Sequence, residues 1–215
     1  MEVREAYNIW ASQYDSNNNK TRDLEGVALK NTLSNISFTN CLEIGCGTGK
    51  NTTWLHTKGN NIVSVDFSEA MLAKAKSKIL SEKVKFIQAD INKNWDFANQ
   101  EKFDLATFSL VLEHIENLNS IFEKLSKVIT PNGYVYLSEL HPFKQYSGSK
   151  ARFETESGVQ MVTCFTHHLS DYCNAASTNG FKIVLMEEYF DEDNRTNIPR
   201  ILTILFQKHH NELTD

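Results

Sequence analysis

The sequence predicts an α/β fold built on a mainly parallel sheet with helices on both faces. Short apolar segments of strand length alternate with helical segments up to residue 132, the order that parallel strands with right-handed crossovers produce. Successive predicted strands end in acidic or other polar residues, which places those side chains at one edge of the sheet. At 215 residues, the chain is long enough for one such domain with an ample core.

Two helices are expected ahead of the first strand. Apolar residues recur at helical spacing from Tyr7 to Tyr14, which predicts an amphipathic helix over about residues 2–14. A second helix is predicted over about residues 22–35. The polar segment 15–20 between them has the composition of a flexible joint.

The most informative segment runs from Cys41 to Asn51 and reads CLEIGCGTGKN. A short apolar run containing one acid, Glu43, leads into glycines 45, 47 and 49 and then into a helical segment. Glycines remove the Cβ atoms that keep a ligand away from the backbone, and the free amides at a helix start are hydrogen-bond donors. The segment therefore predicts a pocket for a small ligand.

The glycine spacing excludes two common phosphate-binding loops. A dinucleotide-binding loop requires a glycine where Lys50 stands, and a nucleotide-hydrolase loop requires a glycine at Ile44 and Ser or Thr at Asn51. The remaining pattern has an acid two residues before the first glycine. An acid at that position suits a cationic ligand better than a pyrophosphate.

The following strands also end in groups that can bind a ligand. The strand predicted over residues 61–66 ends at Asp66, where a carboxylate can accept hydrogen bonds from ribose hydroxyls. Ser68 is expected to cap a helix over residues 69–80. A third strand ends at Asp90, a fourth (103–108) opens into Ser109 and Leu110, and a fifth is predicted over residues 133–139.

The segment from Cys41 to Asn51 resembles motif I of the class I S-adenosylmethionine-dependent methyltransferases, in their small-molecule branch. The resemblance extends from about Tyr7 to about Lys208. It implies a Rossmann-like sheet of seven strands, the last antiparallel, with residues 181–189 and 201–208 as the sixth and seventh. Residues 1–215 would form a single domain with an N-terminal helical lid (1–36) and a substrate-side insertion (141–168).

The resemblance also implies S-adenosyl-L-methionine as cofactor and S-adenosyl-L-homocysteine as product. Glu43 would lie near the amino and sulfonium end of the cofactor, Asp66 at the ribose, and Asp90 at the exocyclic amine of adenine. The expected cofactor-binding set is Tyr14, Glu43, Gly45, Cys46, Gly47, Gly49, Asp66, Phe67, Met71, Asp90, Ile91, Ser109 and Leu110.

Recognition of the methyl acceptor is expected from the N-terminal helices and from the segment after the fifth strand. His141 is the candidate general base or acceptor orienter, because it follows a strand whose end should face the methyl group. The alternative is a histidine that is hydrogen-bonded to local backbone. Ser170 is expected to cap the helix that follows this segment. The expected acceptor-binding residues are Trp10, Gln145, Tyr146, Arg152, His167 and His168.

Composition excludes several other classes of function. A net charge of −5 without a concentrated basic run argues against a polynucleotide substrate. The four cysteines form no zinc-binding spacing, so they are expected to be free thiols in a reducing cytoplasm, and no metal is expected. The first residues lack the apolar core of a signal peptide, and the longest apolar run is too short to cross a bilayer.

The sequence therefore predicts an O- or N-methyltransferase that transfers a methyl group in line to a small-molecule metabolite, as a monomer or homodimer. Two alternatives stay open. One is a tRNA or protein methyltransferase, and the other is a non-catalytic S-adenosylmethionine-binding protein.

Overall fold

A computed structural model describes residues 1–98, 101–155 and 158–209. Its strands are β1 (Asn40–Ile44), β2 (Asn61–Asp66), β3 (Val84–Gln88), β4 (Phe103–Ser109), β5 (Ile129–Leu140), β6 (Arg152–Thr155), β7 (Gly158–Met161), β8 (Phe181–Tyr189) and β9 (Ile201–Lys208). Its α-helices are α1 (Val3–Trp10), α2 (Lys20–Leu33), α3 (Thr52–Lys58), α4 (Glu69–Lys78), α5 (Leu118–Val128), α6 (Pro142–Tyr146) and α7 (Leu169–Thr178).

Seven strands form the central sheet in the order β3-β2-β1-β4-β5-β9-β8, and β6 and β7 form a separate hairpin. Strands β1 to β5 are parallel, whereas β9 pairs antiparallel with both β5 and β8. This confirms the predicted seven-stranded α/β sheet with an antiparallel last strand. The chain leaves β1 toward one side of the sheet and returns at β4 on the other, which creates a switch point between those two strands.

Two apolar cores lie on opposite faces of the sheet. Side chains of α5 and α7, including Phe122 and Tyr172, belong to one core together with Phe206 of β9. Side chains of α2 and α3, including Leu29 and Leu55, belong to the other core. Alternate residues of the strands β1, β2, β4, β5 and β9 face the two cores, as a sheet covered by helices on both faces requires.

A third, smaller core fixes the N-terminal segment over the edge of the sheet. Ala6 and Trp10 of α1 pack against Met71 of α4 and Phe153 of the hairpin. The rings of Trp10 and Phe153 are stacked, with centroids 5.1 Å apart. This packing places α1 above the carboxyl ends of the parallel strands.

Several element boundaries differ from the predictions for local reasons. Helix α1 ends at Trp10 because residues 11–16 form turns, and α2 starts at Lys20 because Asn19 accepts a hydrogen bond from the Arg22 amide at 3.0 Å. The expected Ser170 cap was wrong: α7 starts at Leu169, and the His168 amide donates to the Asp171 carboxylate at 2.7 Å.

The cap of α4 is confirmed, because the Ser68 hydroxyl accepts from the Met71 amide at 3.1 Å. Strand β5 starts earlier than predicted and contains the expected turn as an irregularity, where Asn132 has a φ of 63°. No helix within the described ranges is long and apolar enough to cross a membrane.

Candidate functional site

A cavity of about 410 Å³ lies at the carboxyl ends of the parallel strands, beside the switch point. Open α/β sheets bind their ligands at this place, and the volume is typical of small-molecule sites. Most of the predicted cofactor-binding residues line it: Tyr14, Gly45, Gly47, Asp66, Phe67, Met71, Asp90, Ile91, Ser109 and Leu110. Residues of α1 also line it, Val3 and Tyr7 among them.

The glycine loop leaves the backbone open to the cavity at one position. Gly47 has a φ of 54°, and a Cβ atom built there would have no heavy atom within 4 Å. Gly45 has a φ of 72°, and a Cβ atom there would lie 2.2 Å from Cγ2 of Val111. Gly49 serves helix packing instead, because its Cβ would lie 2.8 Å from Cδ1 of Ile79. The three glycines therefore have different reasons to lack a side chain.

Asp66 joins the glycine loop to the start of α4. Its Oδ2 accepts from the Gly47 amide and its Oδ1 from the Ser68 amide, each at 2.8 Å. Burial raises the pKa of this carboxyl, and the hydrogen bonds from backbone amides act in the opposite direction. Each oxygen keeps a second lone pair, so the side chain can still accept hydrogen bonds from a ligand's hydroxyl groups.

The far wall of the cavity is formed by turns that follow β3 and β4. Asp90 accepts from the Asn92 amide at 3.0 Å, which fixes its carboxylate at the end of β3. Leu110 adopts a φ of 58°, uncommon for a residue with a side chain, and its amide donates to the Ser138 carbonyl at 2.8 Å. This left-handed residue turns the chain out of β4 along the cavity.

Three of the predicted cofactor residues do not line the cavity: Glu43, Cys46 and Gly49. Glu43 is buried on the face of β1 covered by α3, where its Oε2 accepts from the hydroxyls of Thr52 at 2.6 Å and Ser64 at 2.7 Å. Burial raises its pKa to about 7. The expectation of direct contact with the ligand's amino end therefore disagrees with its placement, because the side chain holds α3 and β2 behind the loop.

Tyr7 and His114 form a pair on the cavity wall that the sequence did not single out as a site. The Tyr7 hydroxyl lies 2.9 Å from Nε2 of His114, and Nδ1 of His114 lies 2.7 Å from the Thr163 carbonyl oxygen. Because a carbonyl can only accept, Nδ1 carries the hydrogen, and Nε2 accepts from the Tyr7 hydroxyl. Burial raises the pKa of Tyr7 well above its ordinary value, so the phenol keeps its proton. His114 thus lies on the cavity wall with the lone pair of its Nε2 occupied by the Tyr7 hydroxyl.

Glu139 holds the turn that carries His114. Its carboxylate accepts from the amides of Val111 at 3.0 Å, Leu112 at 2.8 Å and Glu113 at 3.4 Å. The side chain is fully buried, which raises its pKa to about 8. An acid at the end of the predicted fifth strand was the available sequence signal for this residue.

His141, the predicted catalytic residue, does not line the cavity. Its Nε2 lies 3.0 Å from Oε1 of Glu188, and its Nδ1 accepts from the Phe143 amide at 3.2 Å. Burial lowers its pKa, although Glu188 acts in the opposite direction. The prediction placed His141 at the methyl group, whereas the structure places it at the start of α6. The physical reason is that β9 and β8 extend beside the end of β5.

The expected acceptor-binding residues likewise lie away from the cavity wall. Trp10 is buried in the third core, and Nε2 of His167 is 2.7 Å from the Ile115 carbonyl oxygen. Tyr146 is exposed, and its hydroxyl is 2.7 Å from Nδ1 of His168. The remaining two residues, Gln145 and Arg152, are also absent from the lining. The insertion instead contributes Thr163 and Phe165.

Within the described part of the chain, no group of three or more His, Cys, Asp or Glu side chains is arranged to hold a metal ion. The four cysteines are free. Burial raises the pKa of Cys164, which lies beside His114, to about 12, so this thiol is not a ready nucleophile.

Comparison with known proteins gives a consistent result. The model of the family described as "Methyltransferase domain" matches residues 42–137. A methyltransferase of Emericella nidulans, described as uncharacterized, is 26% identical over 86% of this chain and 77% of its own length. The mitochondrial ubiquinone biosynthesis O-methyltransferase of Dictyostelium discoideum is 25% identical over 72% of this chain, which spans about half (49%) of that relative. The malonyl-[acyl-carrier protein] O-methyltransferase of Priestia megaterium is 27% identical over 86% of this chain and 73% of its own length.

Solved structures show the same fold. An S-adenosylmethionine-dependent methyltransferase of Mesorhizobium loti has a TM-score of 0.71 at 22% identity and covers 86% of this chain and 98% of its own. The N-methyltransferase NodS of Bradyrhizobium japonicum, in complex with S-adenosyl-L-homocysteine, has a TM-score of 0.68 at 17% identity and covers 95% of this chain and all of its own.

The sheet order, the glycine loop beside the switch point and the matching family model define a methyltransferase domain of the Rossmann-like type. Residues 42–137 match the methyltransferase-domain family, and the described fold is that of S-adenosylmethionine-dependent methyltransferases of known structure.

Proposed function

We propose that this methyltransferase transfers a methyl group directly to a small-molecule acceptor bound beside the cofactor. The observation that carries the proposal is the Tyr7–His114 pair, which faces the same cavity as the cofactor-binding loop. The cavity of about 410 Å³ is covered by α1, which favours a small acceptor over a macromolecular one. The net charge of −5 also disfavours a nucleic acid.

The residues that line the cavity fit the proposed cofactor. Asp66 offers its two carboxylate oxygens to a diol, and Asp90 offers a carboxylate to an amine. Gly47 leaves the loop backbone uncovered, and Ser109 and Leu110 bring polar backbone to the opposite side. In this proposal Glu43 supports the loop from behind through Thr52 and Ser64, as the hydrogen bonds of its carboxylate indicate.

The chemistry requires little of the protein beyond positioning and removal of a proton. When bound, S-adenosylmethionine supplies an activated methyl group whose carbon–sulfur bond breaks as the acceptor forms its bond to that carbon. Holding the two reactants at attack distance can supply ~7–11 kcal/mol of the barrier reduction. His114 takes the acceptor's proton at Nε2 after Tyr7 gives up that hydrogen bond, and the Thr163 carbonyl holds the ring in place. The Glu113 carboxyl, 3.9 Å from Nε2, stabilises the resulting positive charge.

We favour a hydroxyl over an amine as the acceptor group. A hydroxyl must lose a proton to attack, so a hydroxyl acceptor requires a general base, the role proposed for His114. The relatives from Dictyostelium discoideum and Priestia megaterium are both named O-methyltransferases. Their acceptors differ from each other, so the names support the reaction type and not a particular substrate.

The test uses methyl-labelled S-adenosylmethionine, a fractionated cell extract and two variants. Asp66→Ala should abolish labelling together with cofactor affinity measured by calorimetry. Glu123→Gln, an exposed change on α5, should leave both unchanged. Label in the small-molecule fraction supports the proposal, whereas label in RNA or protein would replace it by a tRNA or protein methyltransferase. Tight cofactor binding without label in any fraction would indicate a non-catalytic binding protein.

A second test separates proton removal from cofactor binding. His114→Gln keeps a polar side chain but lacks a basic nitrogen, so turnover of the isolated acceptor should fall by about 10²–10⁴-fold with little change in cofactor affinity. Tyr7→Phe should have a smaller effect, because the proposed base remains. Unchanged turnover in the His114 variant would contradict the assigned role.

The proposal extends to the parts of the domain and to the location of the protein. Residues 1–36 act as the lid over the cofactor, and residues 141–168 contribute to the acceptor side through Thr163 and Phe165. A cytoplasmic location, expected from the free cysteines, stays a prediction.

A further inference from the structure

Strand β8 is an edge of the sheet with an unusual surface. It pairs with β9 on one side, and no other strand of the described chain pairs with it. Four consecutive apolar residues of β8 are exposed: Ile183 at 46%, Val184 at 48%, Leu185 at 36% and Met186 at 37%. Proteins normally protect such an edge with charges placed among the apolar residues, because unpaired backbone groups accept another strand. Here the charged residues stand only at the two ends of the apolar run, and the irregularity within the run is a shift of register with β9 between Ile183 and Leu185.

The charges make β8 complementary to itself. Lys182 precedes the apolar run, and Glu187 and Glu188 follow it. When two copies of β8 lie antiparallel, the lysine of each copy comes near the acids of the other, and the apolar centres meet. A parallel arrangement would place like charges side by side, which is unfavourable.

We propose that β8 pairs antiparallel with β8 of a second copy of this chain, so that the two sheets become one continuous sheet. Such pairing has two-fold symmetry, the commonest symmetry of protein dimers, and requires the same surface from both copies. It supplies partners for the free backbone groups of β8 and covers the exposed apolar side chains. The charge pattern favours this partner over an unrelated strand, because at both ends of the contact a lysine of one copy lies near the acids of the other.

The proposed contact leaves the cofactor cavity free. β8 lies at the far edge from β3, with β9 and β5 between it and β4, whereas the cavity lies at the ends of β1 to β4. Failure of this inference would therefore leave the proposed methyl transfer untouched, and cofactor affinity serves as a check on folding in every variant.

Sedimentation equilibrium of the full chain from 1 to 100 μM tests the pairing. The expected result is a dimer that dissociates on dilution. Val184→Lys places a charge in the apolar run and should weaken association at least tenfold. Val159→Lys, at a similarly exposed valine (57%) in the hairpin, should not change it. A monomer throughout this range, or a dimer that Val184→Lys leaves intact, would overturn the inference.

Charge reversal tests the orientation of the two strands. Lys182→Glu should weaken association several-fold, more strongly at low salt, because each end of the contact then has acids on both strands. Adding Glu187→Lys in the same chain should restore it. Glu187 is the appropriate partner for exchange, because Glu188 already binds His141. If the double variant associates no better than Lys182→Glu alone, antiparallel pairing is wrong.

Discussion

Replacing Gly45 by alanine is the sharpest test of how the glycine loop is built. The backbone there has a φ of 72°, and the new Cβ atom would lie 2.2 Å from Cγ2 of Val111. Carbon atoms in good contact stand about 3.5–4.0 Å apart, so the overlap cannot be absorbed without movement. Gly47 is the matched control, because its φ is 54° but a Cβ there meets nothing within 4 Å.

The expected cost at Gly45 has two parts. The left-handed conformation costs a residue with a side chain roughly 1–2 kcal/mol. Forcing an extra methyl into a packed place costs roughly 1–3 kcal/mol. Alanine also leaves the unfolded chain fewer conformations than glycine does, which offsets about 0.4–1 kcal/mol of this cost. Gly45→Ala should therefore lower the free energy of unfolding by about 2–4 kcal/mol, and Gly47→Ala by about 1 kcal/mol, since only the first part applies there.

A double-mutant cycle with Val111→Ala isolates the steric part. Removing the two methyl groups of Val111 leaves its Cβ at 3.4 Å from the new atom, which is tolerable. The double variant should recover about 1–3 kcal/mol relative to the sum of the single changes. Urea unfolding of all variants measures the free energies, and each kcal/mol should shift the melting temperature by about 2–4 °C. Equal costs at Gly45 and Gly47, or additive effects with Val111, would refute the reasoning.

Two further predictions concern carboxyl and imidazole groups outside the cavity. Burial raises the pKa of Glu43 from 4.5 to about 7, so between these pH values the folded chain binds more protons there than the unfolded chain. The stability that Glu43 contributes is complete below about pH 4.5 and is lost as the pH rises through 7, so the difference from Glu43→Gln should change by on the order of 3 kcal/mol across that window. Urea unfolding at several pH values measures it, and a constant difference would contradict the assignment. His141→Ala should lower the free energy of unfolding by about 1–2 kcal/mol, because the amide of Phe143 loses its cap, and leave turnover and cofactor affinity unchanged. A large loss of turnover with an unchanged melting temperature would instead favour the catalytic role first expected from the sequence.

Much of the fold and part of the site follow from local patterns. A carboxylate that ends a parallel strand must lie at the edge of the sheet where ligands bind, so Asp66 and Asp90 could be placed without knowing the neighbouring strands. The alternation of strand and helix likewise predicted the order of the elements up to residue 132, and β2 had the predicted limits. The limits of β8 and β9, in contrast, were implied by the family resemblance. These features depend on residues close together in the chain.

The site residues that could not be predicted depend on partners far away in the chain. Tyr7 meets His114 across 107 positions only because α1 packs on α4 and the hairpin above the sheet edge. Glu43 turns away from the cavity because its hydrogen-bond partners, the hydroxyls of Thr52 in α3 and Ser64 in β2, lie on the face of the sheet that α3 covers.

The sequence by itself determined the α/β architecture, the glycine loop and the strand-end carboxylates, since each is set by residues within one strand, turn or helix. Only the tertiary structure decided which histidine reaches the cavity and which strand becomes an exposed edge. His141 lies away from the cavity, because its amide donates to the Arg200 carbonyl and its Nε2 lies 3.0 Å from Oε1 of Glu188 on β8. Both features depend on which elements pack together, because that packing brings side chains from distant parts of the chain into contact.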